Sequence, residues 1–197
     1  GQIPLNLQTL QADFYTGACH KWMMTAKGSS FLYVKKEVQH LIEPLVVSWG
    51  YKALFPSHSQ FLDYHQMQGT RDISAFLTVP TAIQFMQENN WENVAATCRE
   101  LVKKNAPLIL NVLQAKPLCD IDGNFTVQMY STPIKTKEPE KLKSLLYEKY
   151  KIEIPVMRQD DIVFLRYSVQ AFNTQKDVDT LANALKDIIA TTNLIEL

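Results

Sequence analysis

The sequence lacks an excess of charge of either sign. Lys and Arg together number 20, and so do Asp and Glu, which gives a formal net charge of zero at pH 7. Proteins that bind nucleic acids or anionic membranes usually carry a basic patch or stripe, so we expect neither as a partner. Long apolar runs are also missing, since none approaches the roughly 18 consecutive apolar residues of a membrane-spanning helix.

Cysteine is scarce, with only Cys19, Cys98 and Cys119. An odd number of cysteines, at spacings that match no zinc motif, is typical of reduced thiols in the cytosol. The spacing of the histidines does not match a metal motif either. The sequence therefore predicts a cytoplasmic protein without a metal site.

The overall composition, with 46% hydrophobic and 20% charged residues, is that of an ordinary globular protein. Runs typical of strands lie at 12–16, 29–35, 45–50, 125–131, 152–156 and 162–168. Helical periodicity covers 73–86, 91–113, 140–150 and 177–190. We expect Asp72 and Asn90 to cap the first two of these helices, and Pro107 to kink or break the second. Residues 51–69 show no period and are predicted to form a long loop.

A change in composition at Lys116-Pro117 divides the chain into two predicted domains. Residues 1–115 end in a linking helix, and residues 116–197 alternate strands and helices as a small α+β domain of about 80 residues. The first residue is Gly rather than Met. We therefore expect the chain to be the later part of a longer polypeptide.

A lysine, Lys21, directly follows His20 on the tight connection between the first two predicted strands. A lysine that acts as an amine nucleophile needs burial or cationic neighbours, which disfavour its charged form. On the dipeptide alone, a surface lysine in a hairpin is the commoner alternative.

Two further places have side chains suited to anions. Gly69-Thr70 offers a hydroxyl and a backbone N–H that suit a phosphate oxygen, although a plain turn is the alternative. Arg166 lies in an otherwise apolar strand, where its guanidinium can bind a carboxylate through two parallel hydrogen bonds. The alternative for Arg166 is a structural salt bridge to Asp160 or Asp161, or exposure to solvent.

Three separated blocks, at 13–34, 68–72 and 164–174, resemble the class V aminotransferase-like enzymes of the fold-type I pyridoxal-phosphate group. Within that group the sequence is most similar to the isopenicillin N epimerase-like branch, which is related to the cysteine desulfurases. The resemblance implies that 1–115 is the end of the large, three-layer αβα domain. It implies that 116–197 is the small C-terminal α+β domain.

The resemblance also implies the cofactor, pyridoxal 5'-phosphate, and the residues that hold it. It makes Lys21 the lysine that forms the Schiff base and moves the Cα proton, with Lys27 as the weaker alternative. It gives His20 a contact with the cofactor phosphate. It further implies that Gly69 and Thr70 reach the phosphate in the neighbouring subunit of a homodimer, with Arg71 close enough to help neutralise that phosphate.

Arg166 is, by the same resemblance, the clamp for the α-carboxylate of an amino-acid-like substrate. Epimerisation at Cα is the leading expectation, with C–S elimination and transamination as alternatives. A desulfurase needs a reactive cysteine shortly before this arginine, and none lies between Cys119 and Arg166.

The rival from another class is a non-catalytic relative that serves as a dimerisation or binding module. Ala18 favours it, because many relatives have Ser or Asn there to assist the phosphate; in this chain that contact is either lost or supplied by Thr16. The resemblance also implies that the aspartate for the pyridine nitrogen, the ring-stacking aromatic and the first phosphate loop precede Gly1.

Overall fold

A computed structural model describes all residues from 1 to 197 and divides them into two compact units. The first comprises Gly1 and residues 3–89, and the second comprises Gln2 and residues 90–197. The first unit contains α1 (Leu7–Leu10), β1 (Phe14–Ala18), β2 (Ser30–Val34), a 3₁₀ helix (Lys36–Leu41), α2 (Gln60–Gln66) and α3 (Ser74–Glu88). The second contains α4 (Trp91–Val112), β3 (Met129–Ile134), α5 (Pro139–Tyr150), β4 (Val156–Gln159), β5 (Ile162–Ser168) and α6 (Gln175–Thr191).

The first unit is built on an antiparallel hairpin of β1 and β2, which pairs Phe14 with Val34 and Ala18 with Ser30. This confirms the two predicted strands on either side of the lysine, to within two residues. α3 follows Asp72, whose Oδ1 accepts a hydrogen bond of 2.8 Å from the backbone N–H of Ser74. Asp72 thus satisfies the first N–H of the helix, but the N-cap position is Ile73, one residue later than predicted, and Ile73 makes no side-chain capping bond.

Two predictions for the region between the hairpin and α3 are wrong. Residues 45–50 form no strand, and Leu45 and Trp49 are 103% and 88% exposed. A strand needs a partner for its backbone groups, and this run has none. The predicted loop 51–69 contains α2, which begins where the Ser59 hydroxyl accepts from the N–H of Leu62 at 3.3 Å. A helix of two turns is too short to show a clear apolar period.

The second unit has a three-stranded antiparallel sheet in the order β3-β5-β4. α4 contacts β3 and α6, and α5 contacts β4. The helices cover one face of the sheet, and the core between them includes Leu142, Leu146, Leu165, Leu185 and Ile188, all without exposed surface. α6 begins with a reciprocal cap between Thr174 and Asp177.

The predicted strand 162–168 and the helices 140–150 and 177–190 are confirmed as β5, α5 and α6. The strands predicted at 125–131 and 152–156 lie further along the chain, as β3 and β4. β3 runs through Pro133, which an edge strand accepts because its N–H side does not have to join the ladder.

The helix α4 differs from the prediction at two points. It runs unbroken through Pro107 rather than ending there. In this chain the two compact units change at Asn89–Asn90, so α4 falls in the second unit. The expected side-chain cap from Asn90 is also wrong, since Asn90 has a φ of 47° and forms no capping bond. No helix combines the length and the apolar character that crossing a membrane requires. The domain boundary in the intact protein stays a prediction.

Candidate functional site

The predicted lysine lies in the connection between β1 and β2, residues 19–29, which we call the lysine loop. The N–H of Cys19 donates to the carbonyl of Ser29 at 3.0 Å, and the N–H of Thr25 donates to the carbonyl of Cys19 at 3.3 Å. The hydroxyls of Thr25 and Ser29 lie 2.7 Å apart and are buried. The two ends of the loop are thus held together, which limits where Lys21 can lie.

The lysine loop also rests on the beginning of α3. The N–H of Ala26 donates to the hydroxyl of Thr78 at 3.1 Å. Gly28 has a φ of +106°, a conformation that disfavours other residues, and a Cβ there would lie 3.6 Å from that of Ala75. The loop is therefore supported from two sides within the first unit.

Lys21 itself is exposed and lines an open cavity of about 540 Å³. Apolar groups form most of its wall, including the rings of Tyr15 and Phe31, which stack with their centres 5.9 Å apart. Lys21 makes no ion pair. The arrangement presents an exposed primary amine at the edge of an apolar cavity, so the burial expected of a nucleophilic lysine is absent, although the amine can reach a carbonyl compound there.

His20 is half-buried, and its Nδ1 atom is buried without a hydrogen-bond partner. A buried polar atom without a partner costs roughly 1–3 kcal/mol. A ligand that accepts a hydrogen bond from this nitrogen would remove that cost. His20 therefore has an unused hydrogen-bonding atom next to Lys21 in the sequence, although His20 is not among the residues that line the Lys21 cavity.

The residues Gly69, Thr70 and Arg71 lie between α2 and α3, outside the lining of the Lys21 cavity. Gly69 has a φ of +92°, and the exposed hydroxyl of Thr70 forms no hydrogen bond within the chain. The Nη1 of Arg71 donates to the Oε1 of Gln68 at 2.7 Å, and its guanidinium lies 4.9 Å from the centre of the Phe76 ring. The structure therefore does not bring Thr70 or Arg71 into the cavity of Lys21.

Arg166 lies on β5 in the second unit, opposite Ser131 of β3. It lines a cavity of about 350 Å³, and its buried Nε has no hydrogen-bond partner. It makes no ion pair, so the salt bridge to Asp160 or Asp161 does not form. Asp161 lies five residues before Arg166, so an extended strand separates their Cα atoms by about 16 Å. The guanidinium is therefore available to a carboxylate.

The expectation that Thr16 replaces a phosphate contact at Ala18 is not supported. The hydroxyl of Thr16 donates to the carbonyl of Phe31 at 2.8 Å, across the hairpin. Its only proton is thus used within the first unit.

The sequence analysis missed Thr25, Ser29 and Thr78, which hold the lysine loop in place. Thr25 and Ser29 flank Gly28 in a short stretch, and this offered a weak turn signal. Thr78 gave no signal, because it pairs with Ala26 across 52 positions of the chain.

Comparison with solved structures identifies the fold. The chain is similar to a cysteine desulfurase from Thermococcus onnurineus NA1, with a TM-score of 0.75 and 16% identity over 94% of this chain and 49% of that one. It is also similar to a variant of the lyase C-DES with glycine covalently linked to its PLP cofactor, with a TM-score of 0.63 and 16% identity over 94% and 49% of the two chains. The fold is therefore that of the fold-type I pyridoxal-phosphate enzymes, as predicted.

Comparison of sequences identifies the family. The family model for class-V aminotransferases matches residues 1–181, and the chain belongs to this family. It is 28% identical to an isopenicillin N epimerase from Amycolatopsis lactamdurans over 95% of this chain and 50% of that protein. Identity is 30% with the isopenicillin N epimerase of Streptomyces clavuligerus, over 94% and 49%. A probable chloroplastic L-cysteine desulfhydrase from Arabidopsis thaliana is 26% identical, over 96% and 42%. The chain thus spans about half the length of these relatives.

Proposed function

We propose that this chain supplies the lysine, phosphate-binding and carboxylate-binding residues of a pyridoxal-phosphate enzyme that acts on an amino acid or an amino-acid derivative. Epimerisation at Cα is the reaction we favour. The observation that carries the proposal is the Lys21 amine, which lines an apolar cavity without an ion pair and follows directly in sequence on His20, whose buried Nδ1 has no partner.

The residues of the lysine loop fit the cofactor. An imidazole N–H on Nδ1 of His20 suits a phosphate oxygen, and the Lys21 amine suits an aldehyde. Pyridoxal phosphate, when bound, supplies that aldehyde and a ring that withdraws electrons from Cα. Lys21 then serves as the base that removes the Cα proton and, for epimerisation, shares in returning one to the other face.

Arg166 orients the substrate in this proposal. Its guanidinium has an unpartnered Nε and forms no ion pair, although Glu153 and Asp177 line the same cavity, so a substrate carboxylate can form two parallel hydrogen bonds with it. Two bonds fix the direction of the carboxylate, and therefore which bond at Cα faces the base. The orientation of the carboxylate therefore decides whether the Cα–H bond or another bond at Cα faces the base.

We further propose a homodimer in which Thr70 serves the site of the neighbouring subunit. Its hydroxyl is exposed and has no partner within the chain, and it lies outside the Lys21 cavity. Arg71 and Gly69 would accompany it. All three cysteines are free thiols, which supports the cytoplasmic setting proposed from the sequence.

The second candidate reaction is C–S elimination, which the similarity to a cysteine desulfhydrase favours. A non-catalytic binding module is the candidate from another class, and the loss of Thr16 as a phosphate donor favours it. Transamination has no observation of its own in this chain.

The experiment is to incubate the intact protein with pyridoxal phosphate, reduce it with borohydride and locate the label by peptide mass spectrometry. We expect a visible absorption band and label on Lys21. The variant Lys21→Ala should lose both, whereas Lys27→Ala, in the same loop, should keep both. A colourless protein, or label on Lys27, would contradict the proposal. Exchange of the Cα proton in heavy water, tested with D- and L-amino acids, then separates epimerisation from elimination.

A further inference from the structure

Three of the four histidines line a single cavity in the first unit. His40 lies on the 3₁₀ helix, His58 precedes α2, and His65 lies in its last turn. The cavity measures about 300 Å³ and is separate from that of Lys21, with which it shares no lining residue. Only the folded chain brings these imidazoles together, because their spacing in the sequence follows no motif.

The cavity has a surplus of basic groups without partners. Lys36 and Glu43 are its only other charged residues. The side chains of Lys36 and of the three histidines form no ion pair or hydrogen bond. On the same elements, Asp63 accepts from the N–H of Ser57 at 2.9 Å, and neither Asp63 nor Glu37 lines the cavity.

The formal charge of the cavity therefore depends on the imidazoles alone. Lys36 and Glu43 cancel each other at neutral and alkaline pH. Histidine is the side chain that ordinarily changes its charge between pH 5 and 8. With the imidazoles protonated, the cavity gains up to three positive charges and donor N–H groups on both ring nitrogens.

The placement of the side chains around the cavity suits a polyatomic anion better than a metal ion. No three of the chain's His, Cys, Asp and Glu side chains are placed to hold one metal ion. A polyatomic anion can contact imidazoles that are further apart. Phe61 and Tyr64 add an aromatic wall, with the Phe61 ring centre 4.7 Å from that of His65.

We propose that His40, His58, His65 and Lys36 form a second site of this protein, which binds a small organic dianion at mildly acidic pH. The dianion carries a phosphate or two carboxylates on an apolar or aromatic body. Binding favours the protonated imidazoles, so it strengthens as the pH falls and weakens as the pH rises. The site does not depend on the proposed reaction at Lys21.

The test is binding of phenyl phosphate and of phthalate to the intact protein, followed through the histidine ring resonances by NMR. Either ligand should shift the resonances of His40, His58 and His65, with an affinity about tenfold higher at pH 6.0 than at pH 8.0. Benzamide, which has the ring without the charge, should not bind. Binding of phenyl phosphate alone identifies a phosphate site, and binding of phthalate alone identifies a dicarboxylate site.

A matched pair of neighbouring lysines provides the control. Lys36 lines the cavity, whereas Lys35 lies outside it and is 4.0 Å from Asp13. Lys36→Gln and the double change His58→Gln with His65→Gln should each weaken binding at pH 6.0, and Lys35→Gln should not. The proposal is overturned if neither dianion binds, if affinity is equal at the two pH values, or if benzamide binds as well. Equal affinity in the Lys36 and Lys35 variants would also overturn it. The resonance of His20 reports separately on the proposed cofactor site.

Discussion

The two units bury their apolar side chains to very different degrees. In the second unit, Leu142, Leu185 and Ile188 have no exposed surface. In the first unit, Leu54 and Phe55 are 92% and 94% exposed. Burial of apolar surface is the main favourable contribution to folding. The second unit therefore has a core of its own. In the first unit, contacts hold the lysine loop in place, but much of the apolar surface stays exposed.

The largest expected effect tests this difference in burial. Leu185→Ala in the second unit should lower the free energy of unfolding by about 2–5 kcal/mol, because it leaves a cavity in a closed core. Leu54→Ala in the first unit should change it by less than about 0.5 kcal/mol. Denaturant unfolding of the intact protein measures both values. Similar losses in the two variants would mean that Leu54 is covered in solution, and would contradict the difference in burial between the two units.

The next prediction asks whether the second unit also contributes to chemistry. Arg166→Lys should weaken amino-acid binding about 10- to 100-fold, because lysine cannot form the parallel pair of hydrogen bonds. Cofactor affinity should stay unchanged. Titration of the cofactor-loaded protein with substrate, and of the cofactor-free protein with cofactor, separates the two effects. Equal loss of both affinities would remove the role of Arg166.

A smaller effect is expected for the hydroxyl pair that closes the lysine loop. Ser29→Ala should destabilise this loop by about 1 kcal/mol, because the buried hydroxyl of Thr25 loses its partner at 2.7 Å and keeps only the carbonyl of Ala26 at 3.2 Å. Ser30→Ala is the matched control, since Ser30 is exposed. Amide hydrogen exchange at Cys19 and Thr25, whose N–H groups close the loop, should quicken in the first variant only. Unchanged exchange would mean that backbone bonds alone hold the loop.

The smallest effect at neutral pH concerns Tyr167 in the second unit. Its hydroxyl is buried without a partner, and burial raises the pKa of Tyr167 above the ordinary value. Such a group leaves the free energy of unfolding unaffected by pH below its unfolded pKa of about 10 and lowers it as the pH rises further, because the buried phenol resists ionisation. At pH 7, Tyr167→Phe should be neutral or slightly stabilising, because it removes a buried hydroxyl that has no partner.

The same substitution should protect the second unit against alkaline unfolding. Above about pH 10 the unfolded chain releases the phenol proton more readily than the folded one, and phenylalanine has no such proton. Unfolding free energies at pH 7 and pH 11 measure the change. Tyr147→Phe is the control, because Tyr147 is 60% exposed. If both variants respond alike to pH, the burial of Tyr167 is not the cause.

The sequence allowed better prediction of the second unit than of the first. β5, α5 and α6 agree with their predicted ranges because their apolar residues recur with a regular period against one core. Residues 45–50 are as apolar as a strand but have no pairing partner, so the prediction there was wrong. Local composition indicates what a segment is able to form, and pairing decides whether it does so.

For the candidate site, the sequence alone predicted which residues carry chemistry: Lys21 after His20, Gly69 before Thr70, and Arg166 in an apolar strand. A motif consists of residues close together in the chain, so it can be recognised from the sequence without knowledge of the fold. Only the tertiary structure decided which groups lack partners, since that depends on distant residues. It left the Nδ1 of His20 and the Nε of Arg166 unpaired, used the Thr16 hydroxyl within the hairpin, and gathered three histidines around one cavity.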